Sequence, residues 1–164
     1  MHATTCDLFA LTAADLMSRE IVTIPEKMSL RGAARLLRKA DISGAPVVDA
    51  EGRCTGVLSA TDFVRRAERE AHPATGPCPC DGGLHTEWEV IDPEKMPADE
   101  VRTSMSRDPV TVAPDVSISE LARMMLDAHI HRIIIVDADN RPIGVVSATD
   151  IFAAIARLGR VADG

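Results

Sequence analysis

Gly56-Val57-Leu58-Ser59-Ala60-Thr61-Asp62 returns 88 positions later as Gly144-Val145-Val146-Ser147-Ala148-Thr149-Asp150. Around this motif, the segment from Met17 to Val64 aligns without a gap on the segment from Met105 to Phe152, with 20 of 48 residues identical. The polar residues of the motif repeat more faithfully than its aliphatic ones. The duplication therefore points to a site copied together with a core.

Each copy has the grammar strand, helix, two strands, helix. In the first, Ile21-Val22-Thr23-Ile24 is a β-branched run closed by Pro25. Ser29 then opens a helical stripe through Leu30, Ala33, Ala34, Leu37 and Ala40. Pro46-Val47-Val48 and Thr55-Gly56-Val57-Leu58 flank Asp49-Ala50-Glu51-Gly52, whose residue types favour a tight turn between antiparallel strands. In the second copy Ser117-Ile118-Ser119-Glu120 reads as a capping box, followed by apolar Leu121, Ala122, Met124, Met125 and Ala128. Its hairpin is Ile133 to Val136, the turn Asp137-Ala138-Asp139-Asn140, and Ile143 to Val146. A last helix starts near Ala60 or Ala148, and shorter helices, Thr12 to Met17 and Ala98 to Met105, lead into the repeats.

Length and composition narrow the function classes. At 164 residues the chain has the size of one ordinary compact unit, able to bury about 70% of its unfolded surface. The expectation is that no separate catalytic domain fits beside the repeats. The net charge of -7 argues against a nonspecific grip on nucleic acid or on an anionic membrane. Aromatic residues make up 2% and Tyr is absent, so base-stacking platforms are not expected either. No stretch has the ~18 apolar residues of a membrane span, and Met1 to Leu11 lacks the pattern of a signal peptide. A cytoplasmic setting is the expectation, with the four cysteines as thiols rather than a disulfide framework.

The duplicated motif and the β-α-β-β-α order resemble the cystathionine β-synthase (CBS) domain, whose motif is Gly, two aliphatics, Ser or Thr, two variable residues and Asp. The resemblance implies an α/β fold in which two repeats, 12–68 and 97–157, pack through their sheets with pseudo-twofold symmetry as a Bateman module. Residues 69–96 form an insert between them. It further implies a regulatory rather than enzymatic role, with an adenosine-containing ligand such as AMP, ADP, ATP, NAD or S-adenosylmethionine held between the repeats. Signalling to an effector protein and a homodimer belong to the same expectation.

Carried over by position, Ser59, Thr61 and Asp62, and Ser147, Thr149 and Asp150, face ribose and phosphate. A carboxylate can accept both donors of a cis-diol, and a helix start offers free N–H groups to a phosphate. The competing reading makes the serines helix caps and the aspartates partners of the helix dipole. Thr23 and Thr111 in the first strands are further ligand candidates. Ile42, Ser43, Gly44, Ala45 and Pro46, with Ile130, His131, Arg132 and Ile133, are candidates for holding adenine, largely through main-chain groups. Here the copies differ most: His131-Arg132 offers positive charge to a phosphate, whereas Ser43-Gly44 is neutral.

The insert supplies a rival site. His72, Cys78, Cys80 and His85 are four ligand types suited to zinc, although Cys-x-Cys flanked by prolines departs from the usual spacing. The alternatives carried forward are a structural or adaptor dimer with empty clefts, and a metal or redox sensor acting through Cys78 and Cys80. No nucleophile elbow, phosphate-binding Gly-rich loop or metalloprotease motif is present, so no enzyme activity is expected.

Overall fold

The computed structural model describes residues 8–70 and 93–162. They sort into two compact units. One contains Val22–Glu51 and Thr55–Pro109 and is called here the Asp62 unit. The other, the Asp150 unit, draws on Met1–Ile21, Gly52–Cys54 and Val110–Gly164. Each unit thus joins the body of one repeat to the segment that leads into the other.

In the Asp62 unit, β1 (Ile24–Pro25), β2 (Gly44–Val48), β3 (Cys54–Ser59, from Thr55 onward in this unit) and β4 (Ser106–Arg107) form one sheet in that order. β1 runs parallel to β2, with Ile24 opposite Val47. β4 is antiparallel to β3, pairing Arg107 with Gly56 and Ser106 with Val57. Helix α2 (Leu30–Ala40) begins where Ser29 Oγ accepts the Gly32 N–H, and it ends at Asp41 in the left-handed region, φ 53°. Its Leu30, Ala33, Ala34 and Leu37 are buried with Ile24, Val47, Leu58 and Val101, and with Phe63 of α3 (Ala60–Glu70). This is the stripe that the helical spacing predicts, except at Ala40, which is exposed at the helix end.

The Asp150 unit repeats the plan. β5 (Thr111–Val112), β6 (Arg132–Val136) and β7 (Pro142–Ser147) form a sheet in that order. Thr111 lies opposite Ile134, and Arg132 opposite Ser147. Helices α4 (Ile118–Ala128) and α5 (Ala148–Ala162) bury Leu121, Met125, Ile151 and Ala154 against Ile133, Ile135 and Val146. The short helix α1 (Ala13–Leu16) packs here, with Leu11, Leu16 and Met17 against the same core. Its start is tied by Asp15, whose carboxylate accepts the Thr12 N–H and O–H, both at 2.8 Å. Those bonds hold the Asp15 carboxyl below its ordinary value of 3.8, the backbone N–H being the larger cause.

Three local expectations are corrected. The run Ile21 to Ile24 yields a strand only from Ile24, because pairing with β2 begins there. Ala98 to Met105 is not an α-helix but a single 3-10 turn at Val101–Thr103, since the chain must become extended at Ser106 to pair with β3. The Ser117 box closes on one side only. Ser117 Oγ accepts the Glu120 N–H at 3.3 Å, while the Glu120 carboxylate lies beside Arg123, 3.9 Å away. No described helix is long and apolar enough to cross a membrane.

Candidate functional site

Each copy of the motif turns a strand directly into a helix. β3 ends at Ser59 and α3 begins at Ala60, so the Ser-x-x-Asp tetrad occupies the helix start. The Ser59 N–H and O–H both donate to Asp62 Oδ2, at 2.8 and 2.9 Å. In the Asp150 unit the Ser147 N–H and O–H donate to Asp150 Oδ2 at 2.7 and 2.6 Å, and Ser147 Oγ accepts the Asp150 N–H at 3.3 Å. The carboxylate at this place satisfies orphan donors and complements the helix dipole. The capping chemistry is therefore present in both copies.

One backbone bond brings the second group of candidates alongside. The Ala60 N–H donates to Ser43 O, and the Ala148 N–H to His131 O, each at 2.9 Å. Ser43-Gly44 therefore lies against the first tetrad, and His131-Arg132 against the second. Gly44 runs close to the end of β3, a methyl group there lying 3.0 Å from Leu58 O, and the equivalent position in the second copy is Arg132. Thr23 precedes β1, and Thr111 opens β5 beside β6. In each unit the candidates thus gather at the edge where the second strand begins and the third ends. Thr61, Thr149, His131 and Arg132 are exposed there, while Thr23, Thr111, Ile42, Ser43, Gly44, Ile130, Ser59 and Ser147 are half-buried. Ala45, Pro46 and Ile133 are buried, Ala45 and Ile133 as members of the apolar cores.

The two carboxylates differ in their surroundings. Asp62 is 6% exposed, and its second oxygen, Oδ1, accepts the Ser106 O–H at 2.9 Å. Arg65 Nη1 stands 3.9 Å from the same oxygen. The segment carrying Ser106 is clamped by Arg66, which donates to Ser104 Oγ and forms an ion pair with Asp99. Between them lies a recess of about 150 Å3 lined by Asp62, Arg65, Arg66, Thr103, Ser104, Met105 and Ser106. In the Asp150 unit the positions 88 residues away from Arg66, Asp99 and Ser104 are Ala154, Leu11 and Leu16, all packed against the apolar core. Asp150 is half-buried, and among the described residues its Oδ1 has no hydrogen-bond partner.

Ser104, Ser106, Arg65 and Arg66 escaped the sequence reading. The available signal was Met17-Ser18-Arg19 repeating as Met105-Ser106-Arg107. The triplet crosses the motif strand at its glycine. A methyl on Gly56 would lie 2.7 Å from Ser106 O and 2.8 Å from Met105 Sδ, and one on Gly144 2.5 Å from Met17 Sδ. The motif's Gly is thus set by the crossing segment. Cys54 is a buried cysteine in β3. Among the described residues no group of three or more His, Cys, Asp or Glu side chains is placed to hold a metal ion. His72, Cys78, Cys80 and His85 lie outside the described residues.

Two small α/β units, each with a duplicated Ser-x-x-Asp helix start, define a tandem-repeat module. Residues 13–69 and 98–157 each match the CBS domain, and the chain belongs to that family as a tandem pair. It is 31% identical over 150 residues to the uncharacterized protein MJ1426 of Methanocaldococcus jannaschii, covering 86% of this chain and 89% of that protein. Among solved structures it resembles the CBS domain pair of protein MJ0100 in complex with 5'-methylthioadenosine and S-adenosyl-L-methionine, with a TM-score of 0.69 and 20% identity over 90% of this chain and 98% of that one. It also resembles CBSX2 in complex with AMP, with a TM-score of 0.69 and 22% identity over 91% of this chain and 98% of that one.

Proposed function

We propose that this chain is a non-catalytic regulatory module that binds an adenosine-containing ligand at a Ser-x-x-Asp helix start and passes its occupancy to a partner protein. The observation that carries the reading is the convergence, within a unit, of a strand end, a helix start with an exposed threonine hydroxyl, and a carboxylate. That set matches the needs of a ribose diol and a phosphate: an anionic acceptor for two hydroxyls, and O–H and N–H donors for an anion. The solved CBS pairs in complex with AMP and with S-adenosyl-L-methionine support the ligand class. A homodimer fits the same picture. Val64 on α3 and Phe152 on α5 occupy equivalent positions and are 41% and 66% exposed, with Ile155 at 49%. Apolar residues at matching places on two helices suit a second copy of the chain.

A thermal-shift series with AMP, ADP, ATP, NAD and S-adenosylmethionine tests the reading. A ligand at about 100 times its dissociation constant adds about 2.7 kcal/mol, several degrees for a protein of this size. The reading predicts such a shift for at least one of the five, and no shift with any of them contradicts it. The structural reading has one observation in its favour, the three hydrogen bonds that the Asp62 carboxylate accepts from Ser59 and Ser106.

A further inference from the structure

Resting on the adenosine-ligand reading above, we infer that the two motif carboxylates have parted roles: Asp150 accepts the ligand's ribose diol, whereas Asp62 is a structural tie. A cis-diol brings two O–H donors and needs carboxylate lone pairs that are both unspent and reachable. Asp62 has one acceptor position of about four left, too few for two donors, and little of the residue is reachable. Its Oδ2 takes two bonds from Ser59 and its Oδ1 one from Ser106, and only 6% of the residue is exposed. Admitting a diol there means displacing the Ser106 hydroxyl. That hydroxyl sits on a segment held by Arg66 through Ser104 and Asp99 and by pairing of β4 with β3.

Asp150 meets both conditions, and the cause lies in its neighbours. Its Oδ2 is occupied by Ser147, which orients the carboxylate, while Oδ1 carries no bond among the described residues. The residue equivalent to Ser106 is Ser18, which is exposed and joined to Val145 through main-chain bonds in both directions, at 3.0 and 3.1 Å. The segment carrying Ser18 is anchored by apolar Leu11, Leu16 and Met17 rather than by a charged clamp. Nothing draws its hydroxyl onto the carboxylate, so the oxygen stays open. The same four residues, Ser-Ala-Thr-Asp, thus build a nearly filled network in one unit and one with an unspent oxygen in the other.

The test is calorimetric titration of the whole chain with AMP and with 2'-deoxy-AMP, S-adenosylmethionine being run in parallel. The wild type is expected to take one AMP per chain and to bind 2'-deoxy-AMP about tenfold more weakly, the worth of a hydrogen bond to a charged acceptor. Asp150→Asn should erase that discrimination. Asp62→Asn should keep it while lowering the melting temperature. Because Asp62→Asn can fail to fold, Ser106→Ala supplies a second variant that cuts the tie and leaves Asp62 in place. It too should melt earlier and still discriminate. Two AMP per chain, equal binding of the two nucleotides by the wild type, or discrimination lost in Asp62→Asn or Ser106→Ala but kept in Asp150→Asn overturns the assignment and leaves the adenosine reading standing. No binding of AMP or S-adenosylmethionine overturns both.

Discussion

The corner around Asp62 and the corner around Asp150 share a tetrapeptide, a crossing Met-Ser-Arg triplet and a helix start, yet their carboxylates sit in different chemistry. Around Asp62 the layer behind the motif is polar, with Arg66, Ser104 and Asp99 clamping the crossing segment and Ser106 closing onto the carboxylate. Around Asp150 that layer is apolar, with Ala154 in the core and Leu11 and Leu16 packed against it. The two copies diverge through residues one layer removed, because these decide whether the shared aspartate spends its hydrogen-bonding capacity internally.

The largest contrast is expected at the motif glycines. Gly56→Ala drives a methyl onto Ser106 O, a main-chain atom fixed by strand pairing, whereas Gly144→Ala meets side-chain atoms alone, Met17 Sδ, Cγ and Cβ at 2.5, 2.9 and 3.0 Å, of which the sulfur end can turn away. Urea unfolding should give a loss of about 1–3 kcal/mol for Gly56→Ala and a smaller one for Gly144→Ala. Equal losses would place the same obstacle behind both glycines.

A smaller effect separates the two lead-in turns by pH. Asp15 has its folded value lowered by the Thr12 N–H and O–H. Its contribution is therefore fully present above the ordinary carboxylate value of 3.8 and is lost as pH falls below 3.8 through the lowered one. The equivalent turn in the Asp62 unit has Thr103 donating to Glu100 O instead, a bond between neutral groups. Amide exchange should show Thr12 losing protection at low pH. Asp15→Asn should remove that dependence, and a persisting one would assign it to another group.

Much of this was legible from periodicity and turn chemistry. The stripe of α2 from Leu30 to Leu37, both hairpins and the Ser59 and Ser147 helix starts follow from local residue patterns that short-range sterics and hydrogen bonds enforce. The candidates around Ser43 and His131 also reach the motif edges, because one strand pairing brings them there. What stayed hidden depends on contacts far apart in sequence. β4 exists only because Ser106-Arg107 meets β3, and the Ser106 bond to Asp62 spans 44 residues. The lead-in of each repeat packing with the body of the other leaves no periodic trace at all. The repeated Met-Ser-Arg triplet was the one clue, and it lies outside any regular element that its own pattern predicts.

The claim that the two carboxylates are wired differently is tested most directly by two double-mutant cycles read by urea unfolding, Ser106→Ala with Asp62→Ala and Ser18→Ala with Asp150→Ala. The first should give a coupling of about 1–3 kcal/mol, that of a hydrogen bond to a charged group, and the second a coupling within about 0.5 kcal/mol of zero. Equal couplings in the two cycles would contradict the account.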